Sequence, residues 1–166
     1  MRLQGSIEAQ VSPARAWALL DDPGGLAAVL PGLESLEQGD PDTLRGVIGA
    51  TVGPMTGRFA FEARVVERRP GQGMDVAVEG TEAVTRSRLD ARVSLGLAEA
   101  GPGRTRVTYQ AEVTPGGRLA ILGEMVLRLT AGVFLREVSD RIRRHLEADL
   151  ESAPAPSPPS PGVPSA

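Results

Sequence analysis

Residues 104–135 read RTRVTYQAEVTPGGRLAILGEMVLRLTAGVFL, and the period of their apolar residues changes at Pro115-Gly116-Gly117. Before that point Val107, Tyr109, Ala111 and Val113 alternate with Arg106, Thr108, Gln110 and Glu112. A period of two marks a strand with one buried face. After it Leu119, Leu122, Val126, Leu129 and Val133 recur at spacings of three and four, and Val138, Ile142 and Leu146 carry the stripe on. That pattern predicts one amphipathic helix of about thirty residues. A strand that turns directly into a long terminal helix makes the chain α+β.

Toward the N-terminus the same alternation repeats. Strands are predicted over residues 33–38, 44–52, 57–66, 74–80 and 84–97, with Pro- and Gly-rich turns at 39–42, 53–54, 70–73 and 101–103. A first strand places Leu3, Gly5, Ile7, Ala9 and Val11 on one face. Ser12-Pro13 then supplies an N-cap and a first-turn proline for a short helix over 14–20 that carries Trp17. Asp21-Asp22-Pro23 repeats the signal for a second helix over 24–30, closed by Pro31-Gly32. The economical arrangement is a curved antiparallel sheet whose apolar face is covered by the last helix.

Composition narrows the chemistry. Of 166 residues, 151–166 hold six Pro and four Ser with almost no large apolar side chain, so they are read as a disordered tail after one domain over 1–150. The absence of Cys rules out disulfides, thiolate metal sites and a Cys nucleophile. A single His, His145, rules out a His-based metal cluster, and no metal site is expected. Eighteen basic residues, all Arg, against twenty-one acidic give a net charge of −3, which offers no field for nucleic acid. Residues 1–11 include Arg2, Gln4, Glu8 and Gln10, so they lack the apolar core of a signal peptide, and no run is long enough to span a membrane. The expected location is the cytoplasm, extending to the inner face of the cell membrane.

The inward positions of the strands hold no carboxylate, Arg or His in this reading, and Tyr109 is their one polar handle. General acid–base chemistry needs a titratable group in the pocket, so no catalytic residue is assigned. Many inward residues are small, among them Gly5, Ala9, Gly46, Ala50, Gly57, Ala63, Gly80, Ala91 and Ala111, and the chain has only five aromatics. Such a sheet either closes tightly on the helix or leaves a cavity for an apolar ligand. The lining expected of that cavity is Ile48, Val52, Met55, Phe59, Phe61, Met74, Val76, Val93 and Tyr109 from the sheet. From the helix it is Leu122, Val126, Leu129 and Val133. Apolar residues off the helical stripe, Ile121, Met125, Leu127 and Phe134, are candidates for contact with a membrane or a partner protein.

Together these segments resemble the helix-grip fold of START-like (SRPBCC) proteins, and within it the CoxG family of carbon monoxide dehydrogenase proteins. The resemblance is carried by the Gly5 strand with Ser12-Pro13, Ala16-Trp17 and Leu20-Asp21-Asp22-Pro23. Further along it rests on Leu30-Pro31-Gly32, Glu34-Ser35-Leu36, Val52-Gly53-Pro54-Met55 with Phe59, and the segment Gly116-Gly117-Arg118-Leu119-Ala120-Ile121-Leu122-Gly123. It covers about residues 1–148. The resemblance implies an apolar cavity gripped between sheet and helix. It also implies a non-catalytic accessory to a molybdenum hydroxylase such as aerobic CO dehydrogenase, acting in maturation, membrane recruitment or quinone handling. An isoprenoid quinone is then the exchangeable ligand, with no covalently bound cofactor. The tail departs from family members that carry a hydrophobic C-terminus. Two alternatives stay open: a maturation chaperone or adaptor without a ligand, and a cyclase-like enzyme of the same superfold.

Single residues have plainer readings. Gly53-Pro54-Met55 is either a turn at the cavity mouth or an ordinary hairpin. Trp17 packs its helix on the sheet, Asp21-Asp22 caps a helix, and His145 sits on a solvated helix end. Arg86, Arg88 and Arg92 form a row on the outer sheet face, within reach of Glu62 or Glu112.

Overall fold

The computed structural model describes residues 1–152, with side chains placed through Ala148. Seven antiparallel strands form one sheet: β1 (Arg2–Ala9), β2 (Leu33–Gln38), β3 (Thr43–Val52), β4 (Met55–Arg69), β5 (Gly73–Glu82), β6 (Arg88–Gly101) and β7 (Arg104–Gly116). Four helices accompany them: α1 (Pro13–Leu20), α2 (Pro23–Val29), α3 (Arg118–Ile121) and α4 (Glu124–Ser152). The α+β expectation holds. Helix α4 runs two residues into the segment read as a tail, and residues 153–166 lie outside the described part of the chain.

The sheet order is β1-β7-β6-β5-β4-β3-β2, so β2 to β7 form a meander and β1 closes onto the last strand. Met1 strengthens that closure: its ammonium donates to the Val113 carbonyl at 2.9 Å. Between β1 and β2, α1 and α2 form the crossover. Ser12 accepts from the Arg15 amide and Asp22 from the Gly25 amide, with Pro13 and Pro23 in the first turns.

Two local features escape periodicity. In β4 the register shifts between Val65 and Glu67, a bulge that leaves Val66 exposed and turns Arg68 back to the concave side, opposite Met74. Arg68 there bridges Asp21 at 2.9 Å and Asp42 at 2.6 Å, tying the end of α1 to the β2–β3 loop. The expected single helix is also broken. Gly123 has φ 87°, a left-handed conformation open to glycine, and it separates the four-residue α3 from α4.

The dense core lies at one end of the molecule. Ile7, Ala9 and Val11 pack with Ala16, Leu19, Val29, Ile142 and Leu146, which places the C-terminal half of α4 on β1, α1 and α2. A second cluster joins Leu20, Met74 and Val107 to Trp17, Leu26, Val65, Val76, Leu95 and Leu97. Trp17 therefore packs its helix on the sheet as expected. Met74, expected in a cavity wall, belongs to this core and is buried.

The stripe expected on the helix holds at Val138, Ile142 and Leu146 and is out of phase at Leu129 and Val133. Leu127, half-buried Ala131, Phe134, Leu135 and Val138, and then Ile142 and Leu146 face the protein. Leu129 and Val133 point away, 66% and 59% exposed. Leu127, expected at an external contact, is 8% exposed, and Phe134 is half-buried. The cause is the break at Gly123: the helix restarts at Glu124, so a phase counted from Leu119 does not carry through.

Candidate functional site

Away from the dense core, the N-terminal half of α4 spans the concave face of the sheet. Arg128 donates to the Arg2 carbonyl of β1 at 3.0 Å on one side. On the other, Val126 lies against Gly53 in the β3–β4 turn, 2.9 Å from where a Cβ would stand. Between these two contacts lies the floor of a groove.

Strand register defines that floor as cross-strand rows. Ile48 stands beside Phe59, and Phe59 beside Glu82. Gly46, Phe61, Gly80 and Leu89 form the next row, then Leu44, Ala63, Val78, Ala91 and Val113, then Val65, Val76, Val93 and Ala111. Of the expected lining residues, Ile48, Phe59, Phe61, Val76 and Val93 share this floor, and all are half-buried. Val52 and Met55 face each other beside the turn at its mouth, where Leu122 and Val126 of the helical segment are half-buried too. Leu129 and Val133 are not part of it, and Met74 lies beneath the core.

Three glycines on the concave face are covered by long side chains, two of them (Gly46 and Gly57) along the floor and one (Gly5) in the row of Met74 and Leu95. A Cβ on Gly5 would stand 2.7 Å from Cζ of Tyr109, one on Gly46 would stand 2.8 Å from Cζ of Phe61, and one on Gly57 would stand 2.7 Å from Oε1 of Glu82. Each long side chain therefore lies flat across a glycine of the neighbouring strand. The two ring-covered glycines are also the register partners of their aromatics. Side chains that lie down leave the apolar residues of these rows half-buried, not covered by the helix.

Glu82 was not expected here. Strand β5 continues two residues past Gly80, and the alternation Met74, Val76, Val78, Gly80 then places a carboxylate on the concave side, 3% exposed. Its Oε2 accepts from the Val84 amide at 3.0 Å and from the Thr85 hydroxyl at 2.6 Å, as well as from the Thr85 amide. Hydrogen bonds from the Thr85 hydroxyl first, then from the Thr85 and Val84 amides, hold this carboxyl below its ordinary value. Carrying the alternation two residues further would have found it.

Elsewhere the structure assigns the charges locally. Arg45 takes Glu62 at 2.8 Å and Arg2 takes Glu112 at 2.7 Å, so the partners expected for Arg88 and Arg92 are engaged by other guanidinia. Arg86 lies in the β5–β6 loop with φ 61°. Among the described residues, hollows also lie outside the groove. One of about 330 Å³ is bordered by Arg15, Leu19, Asp22, Gly25, His145 and Leu146, where His145 is half-buried rather than on a solvated helix end. Another, about 660 Å³, lies on the convex face over Gln4, Ser6, Ser94, Thr108 and Gln110. Neither is the enclosed apolar cavity expected under the helix. No group of acidic or His side chains among the described residues could hold a metal ion, and no described helix is long and apolar enough to cross a membrane.

The family profile of CoxG, a carbon monoxide dehydrogenase subunit, matches residues 5–147. This chain belongs to the CoxG family. No curated protein sequence matches it. Among solved structures, a conserved protein from Geobacillus kaustophilus is similar with a TM-score of 0.83 at 21% identity, over 90% of this chain and 97% of that one. A START superfamily protein from Mycobacterium smegmatis aligns with a TM-score of 0.67 at 11% identity, over 89% and 97%. The ZhuI aromatase/cyclase from Streptomyces sp. R1128 gives 0.68 at 11%, over 92% and 97%. At these identities the structural likeness establishes the START-like helix-grip fold. CoxG membership and that fold together support a ligand-binding accessory role in general terms.

Proposed function

We propose that this CoxG-family chain binds a lipophilic molecule in the groove between the concave sheet and the N-terminal half of α4, as a non-catalytic accessory. The observation that carries the reading is the floor itself: Ile48, Phe59, Phe61, Val76, Val78 and Val93 are apolar and half-buried, over glycines that let long side chains lie flat. Burial drives such binding, at about 0.8 kcal/mol per methylene removed from water, so a long isoprenoid chain needs little polar recognition. In this reading the ligand is an isoprenoid quinone and the partner a CO dehydrogenase-type molybdenum enzyme, a link that the family's name supports for carbon monoxide dehydrogenase alone. The test is to purify the protein without detergent from a quinone-producing bacterium and identify the solvent extract by mass spectrometry. A near-stoichiometric quinone, lost in a folded Val78→Trp variant that fills the middle row, is the expected result. An empty protein that still captures the enzyme would replace the carrier with an adaptor.

A second surface supports docking. Met125, Leu129 and Val133 are spaced by four along α4 and stand 77%, 66% and 59% exposed, a ridge on its outer side, and Ile121 of α3, before the break, is 82% exposed. As a contact for a membrane or the partner enzyme, it should lose that binding in a Met125→Glu/Leu129→Glu variant while the groove keeps its ligand. Unchanged binding to vesicles and to the enzyme would remove this reading.

A further inference from the structure

Glu82 is a buried ionised group that the apolar reading of the groove does not use. Its side chain lies across the concave surface of β4, because the Cβ direction of Gly57 is that of Phe59 and Phe61 two and four residues on, and Oε1 occupies it. The hydrogen bonds of its own loop converge on the other oxygen, Oε2. The Ala83 amide is bonded to the Arg58 carbonyl at 3.0 Å and also helps, as the weakest of the backbone contributions, to hold the carboxyl low. Loop closure therefore directs its three shortest bonds to Oε2, while Oε1 lies over Gly57 on the side of Phe59, the register partner of Glu82. A carboxylate oxygen only accepts hydrogen bonds, and in an apolar surrounding it strongly disfavours a second acceptor or a bare hydrocarbon.

We propose that Glu82 Oε1 is the polar recognition point of the groove and that the ligand is an apolar molecule ending in an O–H or N–H donor, a phenol or alcohol. Of the two redox forms of the isoprenoid ligand proposed above, this selects the quinol, whose ring carries O–H donors, over the quinone, whose carbonyls only accept. This rests on the groove being the binding site. Thr85 acts as a positioning residue: its hydroxyl and amide, with the Val84 amide, hold Oε2 and so orient Oε1. Gly57 is part of the same device, since any side chain there would occupy the space over Oε1.

Two probes of equal apolar length separate the outcomes: 4-decylphenol, which donates, and 4-decylbenzaldehyde, which only accepts. The full chain is expected to bind the phenol at least about tenfold more tightly, the usual weight of one charge-assisted hydrogen bond. In Glu82→Gln the amide oxygen can take the three donors of the loop, which turns the NH2 toward the floor, so the preference should reverse in favour of the aldehyde. Gly57→Ala, which crowds Oε1, should weaken the phenol and leave the aldehyde unchanged, and it serves as the test if Glu82→Gln does not fold. Equal binding of both probes by the native chain, or a preference that neither variant moves, overturns the role of Glu82 while the groove stands. Binding of neither probe overturns the groove reading and this inference with it.

Discussion

The phenol of Tyr109 lies flat over Gly5, its register partner on β1, with Cζ 2.7 Å from where a Gly5 Cβ would stand. This pair sits midway along the seam that joins the first strand to the last, and the Met1–Val113 contact ends that seam. A side chain on residue 5 would have to swing the ring aside. Gly5→Ala should destabilise the protein by about 1–3 kcal/mol, the usual range for overpacking. In a Tyr109→Leu background the same change should cost less than about 0.5 kcal/mol, because the two positions share one space. Urea unfolding of the four proteins measures it, and equal costs in both backgrounds would refute the contact.

Phase on α4 separates buried from exposed positions that look alike in sequence. Ile142→Ala removes a side chain from the first core cluster and should cost about 2–4 kcal/mol. Leu129→Ala, on the exposed ridge, should stay within about 0.5 kcal/mol. A large loss at Leu129 would mean that the helix is rotated.

Acid stability has a worked sign. Glu82, Asp75 and Glu8 are held below their ordinary values, by Thr85, Arg69 and Arg106 respectively as the first cause. A carboxyl lowered in the folded state makes the unfolded chain bind more protons as pH falls, so its stabilisation is present above the ordinary carboxylate range and lost on descent through the folded value. Denaturation midpoints followed from neutral to acid pH should decline, and Glu82→Gln should show a shallower decline. An identical slope in both proteins would deny Glu82 a share.

Arg68 offers a test of the bulge. It reaches Asp21 and Asp42 only because the register shift in β4 turns it to the concave side. All three side chains are about a third exposed or more, so Arg68→Gln should cost only about 1 kcal/mol, and less in 1 M NaCl. A salt-independent loss would indicate packing in place of charge.

Much of the fold is legible along the chain, because strands with one buried face write their alternation locally. All seven strands, the two short helices and the change of period after Pro115 appear that way. Lining residues on regular strands, such as Ile48, Phe61, Val76 and Val93, share that clarity. The positions that fail follow an irregularity. Arg68 lies beyond a bulge, and Leu127, Leu129 and Val133 lie beyond the break at Gly123, where the phase resets. Met74 alternates correctly but meets Trp17 and Leu20 from a crossover helix, a partner that periodicity does not name.

By itself, then, the sequence determined the elements, their order and which face of each regular strand is apolar, since those depend on neighbours two to four residues away. Tertiary structure alone decided the seam between β1 and β7, the rotation of α4 and the cross-strand contact of Glu82 with Gly57. Those depend on contacts between residues far apart in the chain, where a single register step or one left-handed glycine changes which side chain faces the groove.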